Sequence, residues 1–489
     1  MPDQVRLSFL NWLATEDSDR QARYTAYREF YDGDHDTQLT TRQRKYLQVK
    51  IGDEFNSNYC PIVVDVLAER LNVTGIQVEG QDEEMWDWWQ KNRMDGTQGV
   101  VHTSVLRDGD TYVLVEWNNE KQLPQFTPEP ACDGIYGIKV HYAEAGLRNV
   151  AFASKRWRVE DEDPESAGKM RRLNLYYPDR IEKYYSHSEE FEGDWMPYQD
   201  EGDPWPLPWV AADGTPLGVP MIHFRNKEQG YKYGISELKN IIPLQNALNK
   251  AIIDLMATAD STGFPLLYML GDDPSELKVA PGSWIYSLRP PTGEGSVAVG
   301  KIPSEDLTSL IAFKDAIVAE IARVSRTPLS YFQVTGQIAA EGTQKQQESG
   351  LVAKAKDRMI GFGNSWEDAF YMARRLHNTF GAGGMDEEQA ISIEWDDPET
   401  RNDKEYREAL QIEAALGVPE EMIWRKLGYD ADEIAEMQAM KAETLAAESN
   451  IGGALLRNFE SGGFAGGGLN ANNTANTEPF QPVQAAAPS

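Results

Sequence analysis

Cysteine and histidine are scarce in this chain of 489 residues, which has two of the first and six of the second. Cys60 and Cys132 allow one disulfide at most. They exclude a disulfide framework or a cysteine-built metal site, and a reducing compartment is the simpler expectation. The histidines, at positions 35, 102, 141, 187, 223 and 377, include no i, i+4 pair, so no helix presents the two imidazoles of a zinc hydrolase. Positive charge is also short: 47 basic against 78 acidic residues give a net −31. Such a surface repels phosphate backbones and anionic membranes, which argues against a tight grip on nucleic acid. It leaves room for a protein that lets nucleic acid pass without sticking. No apolar run approaches the roughly 18 residues of a membrane span. The opening "MPDQVRLSFLNWLATEDSDR" lacks the charged-then-apolar form of a signal peptide, and a soluble intracellular product is expected. Walker-type G-x-x-x-x-G-K-[ST], strand-borne G-x-G-x-x-G, H-E-x-x-H and C-x-x-C strings do not occur. The expectation is therefore a structural or mechanical protein, with no cofactor and no catalytic or metal site.

What is present is ordinary material for large cores: 41% apolar and 10% aromatic residues, over a length suited to about three domain-sized units. Leu7, Leu10, Leu13, Tyr24, Tyr27 and Phe30 recur at near-helical spacing and predict a helix over 5–30. A second is expected in "NSNYCPIVVDVLAERL", with Asn58 near its start, Pro61 in its first turn and Val63, Val64, Leu67 and Leu71 on one face. "DEEMWDWWQKNRM" reads as a third. From 110 to 226 the period shortens, and "TYVLVEW", "IYGIKVHY", "NVAFASKRWRV", "RRLNLYYP", "RIEKYYS" and "VPMIHFRN" predict an antiparallel β-rich region.

Two amphipathic helices then flank an insert. The first covers 236–262, with Ile241, Leu244, Leu248, Ile252 and Leu255 in register and Asn240 placed to cap ahead of Pro243. The second starts at an N-cap Ser304 and carries Leu307, Leu310, Ile311, Ile317, Ile321 and Val324. The insert, 263–303, contains "FPLLYML", a "GDDP" turn and "GSWIYSL". A further long helix is expected over 351–380 with Gly361 and Gly363 as kink points, then a strand "AISIEW" and an acidic helical region over 400–449. The Gly/Asn/Ala-rich end cannot bury enough surface to order itself.

Three strings could carry chemistry. Asp32, Asp34 and Asp36 of "YDGDHD" alternate like a calcium loop, but Thr37 stands where that loop needs glycine and Gln43 where it needs glutamate. "EWDDPET", 394–400, gathers carboxylates as a two-metal nuclease would, though acids at a helix start have a simpler role there. Trp86, Trp88 and Trp89 could stack on bases, but the acidic segment around them favours core packing. Between the second amphipathic helix and the long one lies "QVTGQIAAEGTQKQQESG", 333–350, readable as a tether, a lid or a loop touching something long and smooth.

The order of the pieces carries a resemblance. "REFYDGDHD", "NYCPIVVDVLAERLNVTGIQVEG" and "NRMDGTQGVVHTSVLRDGDTYVLVEW" resemble the portal proteins of tailed bacteriophages, of the siphophage-type head–tail connector family. "YKYGISELKNIIPLQNALNKAIIDLMATAD" is similar to that family's first stem helix, and "RVSRTPLSYF" with "ESGLVAKAKDRMIGFGNSWEDAF" to its tunnel loop and long helix. "LGVPEEMIWRKLGYDADEIAEM" is similar to the entry of its crown, and the resemblance covers residues 25–445.

The resemblance implies an α+β portal fold: a β-rich wing, a helical stem hairpin carrying a small clip insert, a long kinked helix and a helical crown. It places the wing at 1–233 and 351–395, stem helices at 234–262 and 304–326, and the clip at 263–303. The tunnel-loop region falls at 327–350, the crown at 396–457 and a disordered tail at 458–489. It implies a ring, usually a dodecamer, at one capsid vertex. The ring conducts double-stranded DNA during packaging and ejection, with weak and non-specific contact. Gly336, Gln337, Gly342, Thr343, Gln344, Lys345 and Gln346 become candidates to face that DNA. Tyr268, Asp272, Asp273, Trp284, Tyr286 and Arg289 become candidates for a clip surface that docks the terminase large subunit and then a head-completion adaptor. Major capsid and scaffolding proteins are further implied partners, a membrane is not, and the expected place is the virion, with the host cytoplasm during assembly. The alternatives are a metal-dependent nuclease on the 394–399 carboxylates, or a minor capsid or adaptor protein.

Overall fold

The computed structural model describes residues 4–442 except 16–17, 37–38, 51–56, 79–81, 135, 144–149, 160–169, 189–192, 200–201, 228–231, 264–266, 271–283, 288–297, 302–306, 334–340, 400–402, 428, 430–432 and 435. It comprises two compact units, Met1–Glu399 and Thr400–Ser489.

The first unit begins with two helices where one was expected, α1 (Gln4–Thr15) and α2 (Ser18–Asp32). A helix-start signal explains the division, since Ser18 opens α2 with Asp19 in its first turn. Leu10 and Leu13 of α1 are buried with Leu173, Leu175, Tyr184 and Trp195 in a small core of their own. A short helix α3 (Thr41–Lys50), which the spacing did not predict, precedes α4 (Cys60–Ala68). In α4 the Asn58 side chain accepts from the Cys60 N–H at 3.1 Å, and Pro61 sits in the first turn, where a missing N–H costs no helical bond. Strand β1 (Val73–Gln77) follows, then α5 (Asp82–Lys91) and α6 (Met94–Asp108), separated by Arg93 in a left-handed conformation.

The β-rich region is antiparallel, as expected from its short β-branched and aromatic runs. Strands β2 (Asp110–Asn118), β3 (Leu123–Pro130) and β10 (Met221–Arg225) form one sheet in the order β10-β2-β3. Strand β3 is not among the expected runs; it carries Pro124, Pro128 and Pro130 and lies at the edge, where prolines are tolerated. The second sheet runs β4 (Gly137–Tyr142), β5 (Val150–Val159), β6 (Met170–Tyr176), β7 (Arg180–Ser186) and β8 (Met196–Pro197), with β9 (Leu207–Pro208) also on β7.

A 3₁₀ turn, Glu237–Asn240, leads into α7 (Ile242–Gly263). Its cap is Ser236, whose hydroxyl accepts from the Leu238 N–H at 2.9 Å, so the capping role expected of Asn240 falls four residues earlier. The insert contributes β11 (Leu267–Leu270), β12 (Trp284–Ser287) and β13 (Ala298–Lys301), with β12 parallel and β13 antiparallel to β11. Helix α8 (Leu307–Ser325) returns against α7; the expected cap at Ser304 lies outside the described residues.

A 3₁₀ turn at Leu329–Tyr331 precedes α9 (Glu341–Phe380), which starts ten residues before the expected 351. The Gln, Lys and Glu residues of "TQKQQES" are good helix formers, although a polar loop has the same composition. Helix α9 passes through Gly361 and Gly363 uninterrupted. A Cβ at position 363 would meet the Trp395 indole nitrogen at 3.3 Å, so that glycine admits the tryptophan of β14 (Ser392–Trp395), which pairs with β1.

The main core gathers where α9 crosses the β10-β2-β3 sheet. Trp366 and Trp89 meet edge-on at 5.1 Å between ring centres, and Phe224 approaches Trp366 at 4.8 Å. Trp88 and Trp89 are buried, as the acidic surroundings of the tryptophan string implied. The second unit holds α10 (Asp403–Ala415) and α11 (Glu420–Leu427), divided at "LGVP" with Gly417 at φ +91°. Ile423 is buried, and Lys426 reaches Glu413 at 2.7 Å.

Candidate functional site

The polar segment after α8 divides in two. Gly336 and Gln337 lie outside the described residues, whereas Gly342, Thr343, Gln344, Lys345 and Gln346 form the first turns of α9. These five candidates therefore sit on a helix and not, as expected, in a loop reaching to 350. Lys345 and Gln346 are exposed, and Lys345 helps to hold Glu399 below its ordinary range, after the larger effect of Lys356. In the insert, Tyr268 on β11 is opposite Ile285, while Trp284 and Tyr286 of β12 are opposite Leu267 and Met269. Asp272, Asp273 and Arg289 lie outside the described residues.

The turn that leads into α7, the end of α8 and an interior turn of α9 converge on one buried carboxylate. Glu237 accepts from Lys354 at 2.9 Å, Lys227 at 3.0 Å and Arg358 at 3.2 Å. Asn226 adds a hydrogen bond at 3.0 Å, and Lys354 also donates to the Ser325 carbonyl that ends α8, at 3.0 Å. Burial pushes the Glu237 carboxyl up, but the three cations outweigh it and hold the group well below the usual range. For Lys354 burial prevails over Glu237 and pulls the ammonium down. The sequence held a signal for this knot: Lys354 and Arg358, four apart, interrupt the apolar stripe of Leu351, Ala355, Met359 and Phe362.

A second clasp is Arg70, which donates to Tyr331 at 3.1 Å, pairs with Glu348 at 3.3 Å and reaches the Pro398 carbonyl. A third knot surrounds Asp110, which accepts from Tyr24 at 2.7 Å and the Gly234 N–H at 2.7 Å and meets His223 at 2.8 Å. His223 in turn meets the Tyr142 hydroxyl at 2.7 Å. Burial works against the Asp110 carboxylate, but these partners keep it ionised. This row ties α2, β2, β4 and β10 together, and it holds no serine or cysteine for nucleophilic chemistry.

The carboxylates at 394–399 are bound into local structure. Asp396 accepts from the Asp397 N–H at 2.8 Å, Asp397 from the Glu399 N–H at 3.2 Å, and Glu399 pairs with Lys356 at 2.9 Å. Among the described residues, no group of three His, Cys, Asp or Glu side chains is placed to hold a metal ion. No helix among them is long and apolar enough to cross a membrane.

His102 is fully buried; its Nδ1–H donates to the Leu71 carbonyl at 2.9 Å and its Nε2 accepts from the Trp366 indole N–H at 3.1 Å. Burial, partly offset by Leu71, pushes its pKa down to about 4. His141 is pushed down to about 3, first by burial and then by Lys139, Lys232 and Arg156. Both groups are neutral when folded and protonate near pH 6.5 when unfolded, so they contribute stability that is full above that pH and declines as pH falls. The His102 share alone is about 3 kcal/mol between pH 6.5 and 4, and the depressed Glu237 adds to the loss at lower pH. The urea midpoint should therefore drop steeply between pH 7.5 and 4.5; equal midpoints would contradict the burial of these imidazoles.

Comparison with known proteins places these features in one family. The family described as "Phage portal protein, SPP1 Gp6-like" matches residues 10–448. The chain is 24% identical over 418 residues to the portal protein of Mycobacterium phage D29 and 23% identical over 418 residues to that of Mycobacterium phage L5. Each alignment covers 79% of this chain and 79% of the relative. Among solved structures, a chain in the neck of an empty gene transfer agent (GTA) particle computed with C6 symmetry is 12% identical at a TM-score of 0.42, with 80% of this chain and 94% of that one covered. A chain in the neck of the native particle computed with C12 symmetry gives a TM-score of 0.37 at 12% identity, over 80% and 94% of the two chains. These structural likenesses are loose.

Proposed function

Because the chain belongs to the SPP1 Gp6-like family of phage portal proteins, we propose that it works as a ring at one capsid vertex, through which double-stranded DNA passes during packaging and ejection. The observation that carries this reading is the family match over 10–448, which takes in nearly every element described above. On this reading α7 and α8 are the stem, the three-stranded insert between them is the clip, and α10 and α11 belong to the crown. The wing is built from the N-terminal helices, the two antiparallel sheets and α9 with β14. On the same reading, the channel-facing candidates Gly342, Thr343, Gln344, Lys345 and Gln346 stand at the start of α9, where Lys345 and Gln346 are exposed.

The chemistry supports that use. Each phosphate that a wall neutralises adds salt-dependent affinity and slows passage. A chain of net charge −31 keeps such contacts few, and Lys345 is the cation offered at the start of α9. The clip is the proposed docking surface for the terminase large subunit and then the head-completion adaptor, with capsid and scaffolding proteins around the ring. No catalytic step is assigned to the chain.

Purified protein should form closed rings in negative-stain images, with a mass near twelve times the 55.0 kDa chain. A species that stays monomeric or dimeric at assembly concentrations would refute the reading. Lys345→Glu should leave ring assembly intact and reduce packaged DNA per particle; normal packaging would show that the Lys345 contact is dispensable.

A further inference from the structure

A cavity of about 470 Å3 opens between α2 and the segment that leads into α7. Four basic residues line it, Arg20, Arg23, Lys232 and Lys239, against a single carboxylate, Asp108. That carboxylate is already engaged by Arg28 at 3.0 Å and Arg107 at 2.8 Å. Asp110, behind the wall, accepts from Tyr24 and Gly234, meets His223 and pairs with Arg20 at 3.9 Å. Among the described residues this leaves Arg23, Lys232 and Lys239 as the uncommitted cations, which form no ion pair. The walls are fixed: Arg20 lies 3.6 Å from the ring centre of Tyr233, and Tyr24 is held by Asp110. In a chain of net charge −31 this is a concave, preorganised concentration of positive charge.

We propose that this cavity receives a carboxylate-bearing segment of the neighbouring copy and is one half of the contact that closes the ring. The inference rests on the ring reading above. A closing head-to-tail interface joins two different patches, so a basic recess on one copy must meet a different surface on the next. A chain with 78 acidic residues supplies the complementary charge in abundance. A ring neighbour presents it at high effective concentration. A phosphate group fits the recess less well, because tight phosphate cradles are made by converging backbone N–H groups. Here those groups are turned inward: Gly234 donates to Asp110 at 2.7 Å, Ile235 to the Asn226 carbonyl at 2.9 Å and Leu238 to Ser236 at 2.9 Å. What remains at the mouth is long, adaptable Arg and Lys side chains, which suit carboxylates on a partner surface.

The test is the double variant Arg23→Glu with Lys239→Glu in the full chain. Both side chains are exposed, so the melting curve of the unassembled variant should match wild type. Sedimentation at low salt should show the concentration for half-assembly raised by about tenfold or more. The wild type should lose assembly as salt rises, whereas the variant should respond weakly. The neutral pair Arg23→Gln and Lys239→Gln should fall between them. Assembly of the charge-reversed variant within about twofold of wild type would overturn the inference while leaving the ring reading intact. A wild type that forms no ring would instead defeat the ring reading itself. Pyrophosphate that shields Lys232 and Lys239 of the unassembled protein from acetylation, with assembly of the variant unchanged, would assign the cavity to a phosphate ligand and equally overturn the inference.

Discussion

Glu237→Gln is expected to destabilise the first unit by about 3–5 kcal/mol, the cost of removing one partner from a buried charge network. Glutamine fills the same space, so the loss isolates charge from packing. Three cations, Lys354, Arg358 and Lys227, would then face a neutral amide. Two of them have side chains only 6% and 7% exposed and cannot recover their hydration. Lys227, at 28% exposed, can turn toward water, so Lys227→Gln should cost only about 1 kcal/mol or less. Trp424 is the one tryptophan beyond residue 399, so tryptophan fluorescence in urea follows the first unit. Hydrogen exchange should rise first at the end of α8 and the start of α7, where Ser325 and Ser236 adjoin the knot. A shift below about 1 kcal/mol would mean that the network is redundant to packing.

Trp366→Ala should cost a comparable amount, about 3–5 kcal/mol, for a different reason. The indole is fully buried between Trp89, Phe224 and His102, and α9 cannot collapse into the void without dragging β14 from β1. Trp366→Phe separates the two contributions. It keeps most of the bulk and leaves His102 Nε2 without its donor, a loss of about 1–3 kcal/mol for an unsatisfied buried group. If phenylalanine proves as damaging as alanine, the hydrogen bond outweighs the packing; if it is neutral, His102 has found another donor. Both variants are read by denaturant midpoints at pH 7.5.

How far the sequence could be read depended on the range over which each signal acts. Most long strands were legible because β2 and β4–β7 are short runs rich in β-branched and aromatic residues, a signal carried within their own residues. Strand β3 was not among them: its prolines are acceptable only at an edge, and edge position is a property of the sheet. Likewise, α9 was placed ten residues short because a polar helix and a polar loop share a composition and differ in what they lean on. The portal family was legible in the order of segments, which no single motif carried. Its physical joints were not: Glu237 meets Lys354 and Arg358 across more than a hundred residues, and Asp110 meets His223 across a similar span. Only the basic i, i+4 pair on an apolar face hinted that a charge was waiting to be answered.

The unbroken run of α9 has a mechanical consequence. Forty residues at about 1.5 Å each make a strut of about 60 Å, stiff along its axis, with Lys345 near one end. Some nine residues further on, roughly 14 Å along that axis, Lys354 is bolted to Glu237, and through Ser325 to the end of α8. An axial push on the first turns of α9 therefore has a direct route to the roots of α7 and α8, through the Lys354–Glu237 pair and the Ser325 carbonyl. Whatever brushes the tip of the strut is felt at the base of the hairpin.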